Sequence, residues 1–358
     1  MKILALDIGA GTQDILLFDE EKNPENCVKI VLPSPSKVFA EKIREATRKH
    51  RDLFIKGEII GGGPLKTPIL NHIKSGGRVF MAETSAFTLR NNLEEVESLG
   101  IKIVKNEAEL EKFEGVTIEL REINLDVLNS FLEKFNEKIT DVDFVAVGVQ
   151  DSGVAPPKIS NRKFRLQKLE EFLRKKPLLE SLAFGEDEVP SFFLRMKSAV
   201  ESVKKQLPTA KVLVMDTAPA AILGCLKDPV VEEKDSVLVV NMGNAHTLAV
   251  LVHEDHVCGM VEHHTRMLKP RKAEWLLENF KSGSLTDDAV YEDGGHGLFY
   301  LEEFKQMKNL ELITVTGPNR NMLRKTNLKI HFAAPIGDMM MTGPVGLVEA
   351  VKRKFIKK

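Results

Sequence analysis

Leu4-Ala5-Leu6-Asp7-Ile8-Gly9-Ala10-Gly11-Thr12-Gln13-Asp14-Ile15-Leu16-Leu17-Phe18-Asp19 is restated much further along the chain as Leu238-Val239-Val240-Asn241-Met242-Gly243-Asn244-Ala245-His246-Thr247-Leu248-Ala249-Val250-Leu251-Val252-His253. Each copy is a buried apolar run, a small-residue turn opening on Asp/Asn-x-Gly, and a second apolar run ending in turn residues, the pattern of a tight β-hairpin. With few side chains in the way, the backbone N–H groups of such a turn can converge on an anion. Two hairpins facing each other would make a phosphate clamp.

Working outward, the first copy continues as a meander, with strands expected near 2–8, 13–18 and 27–32 and a helix at 36–50. The second repeats the order, with strands near 236–241, 246–252 and 256–262 and a helix near 269–281 that carries the single tryptophan, Trp275. The first half then inserts residues 51 to about 140, with a glycine cluster at Gly61-Gly62-Gly63-Pro64, before the strand Phe144–Gly148. A helix at 191–205, a strand at 211–215 and the small-residue helix 218–224 complete it. In the second half the equivalent strand is 312–315, followed by a strand at 328–332 and a closing helix at 345–355.

The 358 residues, 43% of them hydrophobic, are enough for more than one core. A formal net charge of −1 excludes a bulk electrostatic partner, so any polyanion would have to meet a local patch. Cys27, Cys225 and Cys258 have neither Cys-x-x-Cys spacing nor an even count, which indicates no disulfide framework and no iron–sulfur cluster. No signal-peptide layout is visible, and no apolar run reaches the roughly 18 to 20 residues that span a bilayer. A soluble, cytoplasmic protein without a membrane partner is the expectation.

In this order the elements resemble the actin, sugar-kinase and heat-shock-chaperone ATPase superfamily. Leu4–Asp19 resembles its first phosphate motif and Met215–Gly224 its first connecting helix. Leu238–Val252 falls at the second phosphate motif, Ile313–Arg320 at the adenosine motif and Gly343–Ala350 at the second connecting helix. The resemblance implies an α/β protein of two ribonuclease H-like, actin-like domains with a cleft between them. Residues 1–230 would form the first domain, with the insertion at about 51–140 and the C-terminal helix 343–358 packed back on it, and residues 231–342 the second. Gln150-Asp151-Ser152-Gly153, Glu262-His263-His264-Thr265 and Gly294-Gly295-His296-Gly297 further resemble a prokaryotic family sometimes labelled as related to pyruvate formate-lyase activating enzyme. A radical-generating activase needs three clustered cysteines, which this chain lacks.

The superfamily resemblance implies ATP and Mg²⁺ in the cleft, with phosphate held by backbone amides and metal by strand-end carboxylates. Asp7, Gly9, Gly11 and Thr12 would form the first clamp, Asp7 acting on the hydrated metal, with Gly243 and Asn244 forming the second. Gly317 and Asn319 would meet the nucleoside. Asn241 departs from the acidic residue usual there, and an amide cannot offer a metal the charge of a carboxylate. Two other phosphate patterns fail. Gly61–Thr67 has Leu65 where a P-loop needs glycine before lysine, and Gly9-x-Gly11-x-x-Asp14 lacks the last glycine of a dinucleotide fingerprint.

Six of the nine histidines lie between 246 and 296. In an antiparallel meander the end of the first strand, the start of the second and the end of the third share one edge, so Asn241, His246 and Glu262-His263-His264 should meet there. His263 and His264 are neighbours on an extended segment and point to opposite faces, so one of them faces the cleft. A cleft lined by Asp7, Asp151, Asp216, His246 and one of that pair follows, and the loop around His296 could bring another imidazole. These groups suit catalysis, as acids, bases or metal handlers, because imidazole titrates near neutral pH. Asp7, Asp216 and His264 are the metal candidates, with a His-bound transition metal as the alternative to Mg²⁺. Asp216 is equally placed to N-cap the following helix, and Asp151 to close a turn.

Lys158–Lys176 is strongly basic and reads either as a solvated helix or as a cover over the cleft. No base-stacking aromatics accompany it, which argues against nucleic acid as a partner. Three readings remain open: an enzyme that hydrolyses ATP or transfers its phosphate to a small molecule, a metal- or histidine-dependent enzyme on the same scaffold that has lost ATP chemistry, and a non-catalytic nucleotide-gated binding module.

Overall fold

Residues 1–106, 113–307 and 309–356 are described by the computed structural model. The first apolar run and its return form strands β1 (Lys2–Ile8) and β2 (Thr12–Asp19), and β3 (Val28–Pro33) completes the antiparallel meander. The insertion carries β4 (Leu53–Gly57), β5 (Val79–Ala82), β6 (Ile101–Val104) and β7 (Val116–Leu120), a separate all-parallel sheet in the order 6-5-4-7 with its own apolar core. The chain then returns to the first sheet with β8 (Phe144–Val149), β9 (Ala183–Gly185) and β10 (Lys211–Met215), giving the order 3-2-1-8-10-9. Strand β8 is buried at every position, as the near-continuous apolar run Phe144–Val149 requires of a central parallel strand.

The second lobe repeats the plan. Strands β11 (Ser236–Met242), β12 (His246–His253) and β13 (His256–His264) form its meander, followed by β14 (Gly297–Tyr300), β15 (Leu312–Thr316) and β16 (Ile330–Phe332). The order is 14-13-12-11-15-16, with β15 and β16 parallel to β11. Stripped of β9 and β14, both sheets reduce to one ribonuclease H-like pattern, three antiparallel strands and then two parallel ones. The two additions extend opposite edges, β9 the parallel side of the first sheet and β14 the meander side of the second. Neither was expected from the sequence, because both are short.

Two small-residue helices join the lobes. The helix Thr217–Cys225 leaves β10, and Thr342–Val351 returns from the second lobe to pack against it and against β1 and β8. A methyl on Gly224 would overlap the Thr342 carbonyl, and one on Gly346 would overlap that of Ala220, so the crossing is closer than any larger residue permits. Among the described residues no helix is long and apolar enough to cross a membrane.

Candidate functional site

The duplicated turns face each other across the seam between the lobes. Gly9 N–H donates to the Thr12 carbonyl at 2.9 Å, and Gly243 N–H donates to the His246 carbonyl at the same 2.9 Å, so the two turns are closed by the same hydrogen bond. Gly11 lies so near the side-chain amide of Asn244 that a methyl on it would overlap that group. Between them runs a cleft of about 680 Å³, lined from the first lobe by Asp7, Gly9, Thr12, Asp14 and Thr217 and from the second by Asn241, Gly243, Asn244, His246 and Gly317.

Asp7 and Asp14 sit opposite each other on β1 and β2, both buried, and the Oδ1 atom of each has no hydrogen-bond partner among the described residues. Burial, then the neighbouring Asp14 charge, raises the Asp7 carboxyl well above the ordinary carboxylate range. Burial lifts Asp14 to about 7, opposed by the Thr12 hydroxyl and reinforced by Asp338. Gly343 at the start of the returning helix has no room for a methyl against the Asp7 carboxylate, which is thereby held toward the cleft. Sequence reasoning passed over Asp14. The cross-strand rule, which pairs residues equally far from a hairpin turn, could have found it.

Behind the second turn, Gly317 takes φ +92°, and a side chain there would also run into the Met242 carbonyl and the Asn241 amide. Asn319 donates through Nδ2 to the Gly243 carbonyl at 2.9 Å and through its backbone N–H to Met242 O at 3.1 Å. The hydrogen bonds of Asn319, one of the two residues expected to meet a nucleoside, therefore support the second turn.

The expected carboxylates do not all converge on the cleft. Asp151 is saturated by backbone, accepting from Gly153 N at 2.9 Å, Arg195 N at 2.8 Å and Met196 N at 3.1 Å, so it fixes its own turn and the start of the helix Leu194–Gln206. Asp216 N-caps the helix Thr217–Cys225 through Ala218 N at 3.1 Å, and both its oxygens are engaged by Arg165. A carboxylate so occupied is no free metal ligand, which corrects the assignment of Asp216 to the metal.

Arg165 was missed. It belongs to the basic helix Asn161–Lys175 but points inward among Phe164, Leu166 and Leu169, and is 1% exposed. Its guanidinium reaches Asp216 of the first lobe and Glu262 of the second, the latter at 3.1 Å through Nε. Burial disfavours the Glu262 charge, but Arg165 outweighs it and holds that carboxyl well below its usual range. Arg165 stands four residues before Leu169 on the apolar stripe, and that placement was its one signal in the sequence.

From Glu262 the chain of contacts runs into the histidines. His296 Nδ1 lies 3.2 Å from Glu262 Oε2, off the line of a hydrogen bond, while its Nε2 has no polar partner. The loop that carries it is pinned by Arg162, which donates to the carbonyls of Gly294 and Gly295 at 2.6 and 2.7 Å. His246 and His264 are register partners on β12 and β13, and the three rings lie with centroids 4.8–5.0 Å apart. His246 Nδ1 bonds Gln150 Oε1 of the first lobe at 3.0 Å. Burial pulls His246 down to about 3, and burial with the nearby His296 pulls His264 to about 4, so both are neutral at physiological pH. His263 faces the other way, fully buried, and meets Asp293 at 3.1 Å.

Lobes of this topology, with paired hairpin turns across a cleft and two crossed connecting helices, define an actin-like fold. The chain belongs to the family described as "Putative pyruvate format-lyase activating enzyme (DUF1786)", which matches residues 60–322. No curated protein matches the chain. Similar solved structures include the ethanolamine utilization protein EutJ from Carboxydothermus hydrogenoformans, at 9% identity over 97% of this chain and 89% of that one, with a TM-score of 0.32. The activator of the 2-hydroxyisocaproyl-CoA dehydratase from Clostridium difficile with bound ADPNP has 9% identity over 100% and 99%, with a TM-score of 0.35. The ROK hexokinase from Thermus thermophilus has 10% identity over 98% of each chain, with a TM-score of 0.31.

The three cysteines stand on separate elements and do not gather into a cluster-binding set. All three are buried, Cys27 after the first hairpin, Cys225 on a connecting helix and Cys258 within β13. Burial pushes the Cys258 thiol up to about 12, the reverse of a cluster ligand.

Proposed function

We propose that this protein is an enzyme that binds ATP with Mg²⁺ between its lobes and either hydrolyses it or transfers its terminal phosphoryl group to a small molecule. The observation that carries this reading is the pair of turns, Gly9–Thr12 and Gly243–His246, closed by matching hydrogen bonds and opposed across one cleft. Backbone N–H groups there would receive the phosphates, which suits a reaction whose catalysis is mostly positioning and charge stabilisation.

Asp7 and Asp14 fit the metal. Each has a buried oxygen with no hydrogen-bond partner among the described residues, so a hydrated divalent ion would satisfy atoms the fold leaves bare. Bound there, Mg²⁺ would offset phosphate charge. Asp7, held by Gly343 and raised by burial, is the group placed to take a proton from an attacking water or hydroxyl. Asn241, on the equivalent strand, carries no charge, so the metal duty falls to the first lobe alone. A second polar cavity, of about 710 Å³ and lined by Gly61, Gly62, Arg90, Asn91 and Asn161, shares Gln150 with the cleft and is the place for the acceptor.

Titration calorimetry with Mg²⁺·ATP, with phosphate release followed in parallel, tests the reading. One nucleotide per chain is expected, with binding lost in Asp7→Ala. Undiminished binding in Asp7→Ala would mean the nucleotide sits elsewhere, and tight binding without turnover under any acceptor would reduce the protein to a nucleotide-gated binding module.

A further inference from the structure

We propose that His246, His264 and His296 form a divalent transition-metal site, distinct from the Mg²⁺·ATP position and built at the seam where the two lobes meet. One ligand-capable nitrogen from each of the three side chains lies within 4.8 Å of those of the other two. Around a tetrahedral ion with bonds of about 2.0–2.1 Å, ligand nitrogens stand roughly 3.3 Å apart, so small ring rotations close the site. The donor set selects the ion class. Three neutral imidazoles suit zinc and its neighbours in the first transition row, whereas Mg²⁺ takes oxygen ligands.

The surroundings are those of a built ligand set. His296 is 3% exposed and its Nε2 has no partner, a buried polar atom that protein alone leaves unsatisfied. Its Nδ1 faces Glu262, which is anchored by Arg165, which is anchored in turn by Asp216. A small rotation of the ring would bring Nδ1 onto Glu262 in the carboxylate–histidine arrangement that fixes a metal-binding imidazole. On the opposite side Gln150 Oε1 accepts from His246 Nδ1–H, which leaves Nε2 as the lone-pair nitrogen. The charges agree as well. Asp216, Arg165 and Glu262 sum to one uncompensated negative charge in a fully buried row, and a cation at the imidazoles offsets it.

Three protein ligands leave a fourth position open, as in catalytic rather than structural zinc sites, so water or a substrate oxygen is the expected occupant. Because Gln150 comes from the first lobe and all three histidines from the second, opening the cleft would remove one support of the site. Metal and nucleotide occupancy should therefore be coupled.

The test uses the full-length protein without nucleotide, so its outcome does not depend on the ATP reading. After chelator treatment, Co²⁺ is titrated and the visible d–d absorption recorded, and Zn²⁺ is added in competition with metal content measured by mass spectrometry. One equivalent per chain with tetrahedral Co²⁺ bands, displaced by Zn²⁺, is expected. His264→Ala, at a half-buried position that should fold, is expected to lose the bands. Gln150→Ala, which touches only His246 among the ligands, is expected to weaken affinity about 10- to 100-fold. Absence of the bands in the parent protein, or a His264→Ala variant that binds Co²⁺ as the parent does, would overturn the site.

Discussion

The two hairpins are the same backbone carrying different chemistry. Position for position, Asp7 of the first answers to Asn241 of the second, Thr12 to His246 and Asp14 to Leu248, while the closing hydrogen bond is unchanged. On the third strand Pro33 pairs with Thr12 where His264 pairs with His246. One copy therefore gathers oxygen ligands and the other nitrogen ligands, each within reach of the shared cleft. A duplicated fold supplies the paired turns, and on the proposed reading divergence at a handful of rim positions would sort the chemistry between hard and borderline metals.

Breaking the seam that joins the two rims should give the largest effect. Arg165→Ala leaves Asp216 and Glu262 buried without their cation, and a loss of about 3–5 kcal/mol is expected in chemical denaturation. Arg174→Ala, nine residues along the same helix, removes the exposed pair with Glu170 and a long hydrogen bond to the Tyr300 carbonyl, and should cost about 0–1 kcal/mol. Equal effects would mean that the buried row does not hold the lobes.

Next in size is the asymmetry of the carboxylates. At a hundredfold excess of Mg²⁺·ATP over its dissociation constant, binding stabilises the fold by about 2.7 kcal/mol. Asp7→Ala should abolish that shift in melting temperature, and Asn241→Ala should retain most of it. A matching loss from both would make the hairpins equivalent and remove the distinction between the rims.

Titration sharpens the contrast further, since the two rims respond to pH with opposite sign. Asp14 is raised to about 7 in the fold from an ordinary value near 4, so the folded protein holds its proton through that window and its unpaired charge destabilises the fold above it. Asp14→Asn should therefore raise the melting temperature at pH 8 in the absence of metal, the gain shrinking to nothing below pH 4. His246 and His264 are depressed to about 3 and 4, so below pH 6.5 the unfolded chain takes protons that the folded one refuses. Stability is lost as pH falls from 6.5 toward 4, and His264→Ala should flatten that acid limb. Parallel pH profiles for both variants would contradict the assignment of the two environments.

The smallest expected difference lies in the turns. A methyl on Gly9 would rest 3.6 Å from the Thr12 carbonyl, an ordinary contact, whereas on Gly243 it would stand 2.9 Å from the His246 carbonyl and force backbone to move. Gly243→Ala should be less stable than Gly9→Ala by about 1 kcal/mol in denaturant titrations.

Much of the architecture was legible because it is written locally. Alternating apolar runs, Asp/Asn-x-Gly turns and the repeat of the whole meander identify both sheets and their parallel additions. The site was less legible where a side chain's role depends on a distant partner. Asp216 and Asp151 look like strand-end acids, yet backbone amides and Arg165 occupy them, and a helix N-cap reads in sequence much as a metal ligand does. Asp14 was hidden for the opposite reason, because a single acid in an apolar strand resembles a turn residue until its cross-strand neighbour is known.

The two meanders, the duplicated turns and the gathering of Asn241, His246 and His264 on one sheet edge follow from the chain alone, since hydrogen-bond register carries each residue to a determined height on its strand. Which carboxylates stay free, that Arg165 turns inward, and that His296 completes a trio with two strand-end histidines were decided only by the tertiary structure. Those outcomes depend on which charges are left without water and must find partners from the other lobe, and desolvation is a property of the assembled interior that no local run of residues encodes.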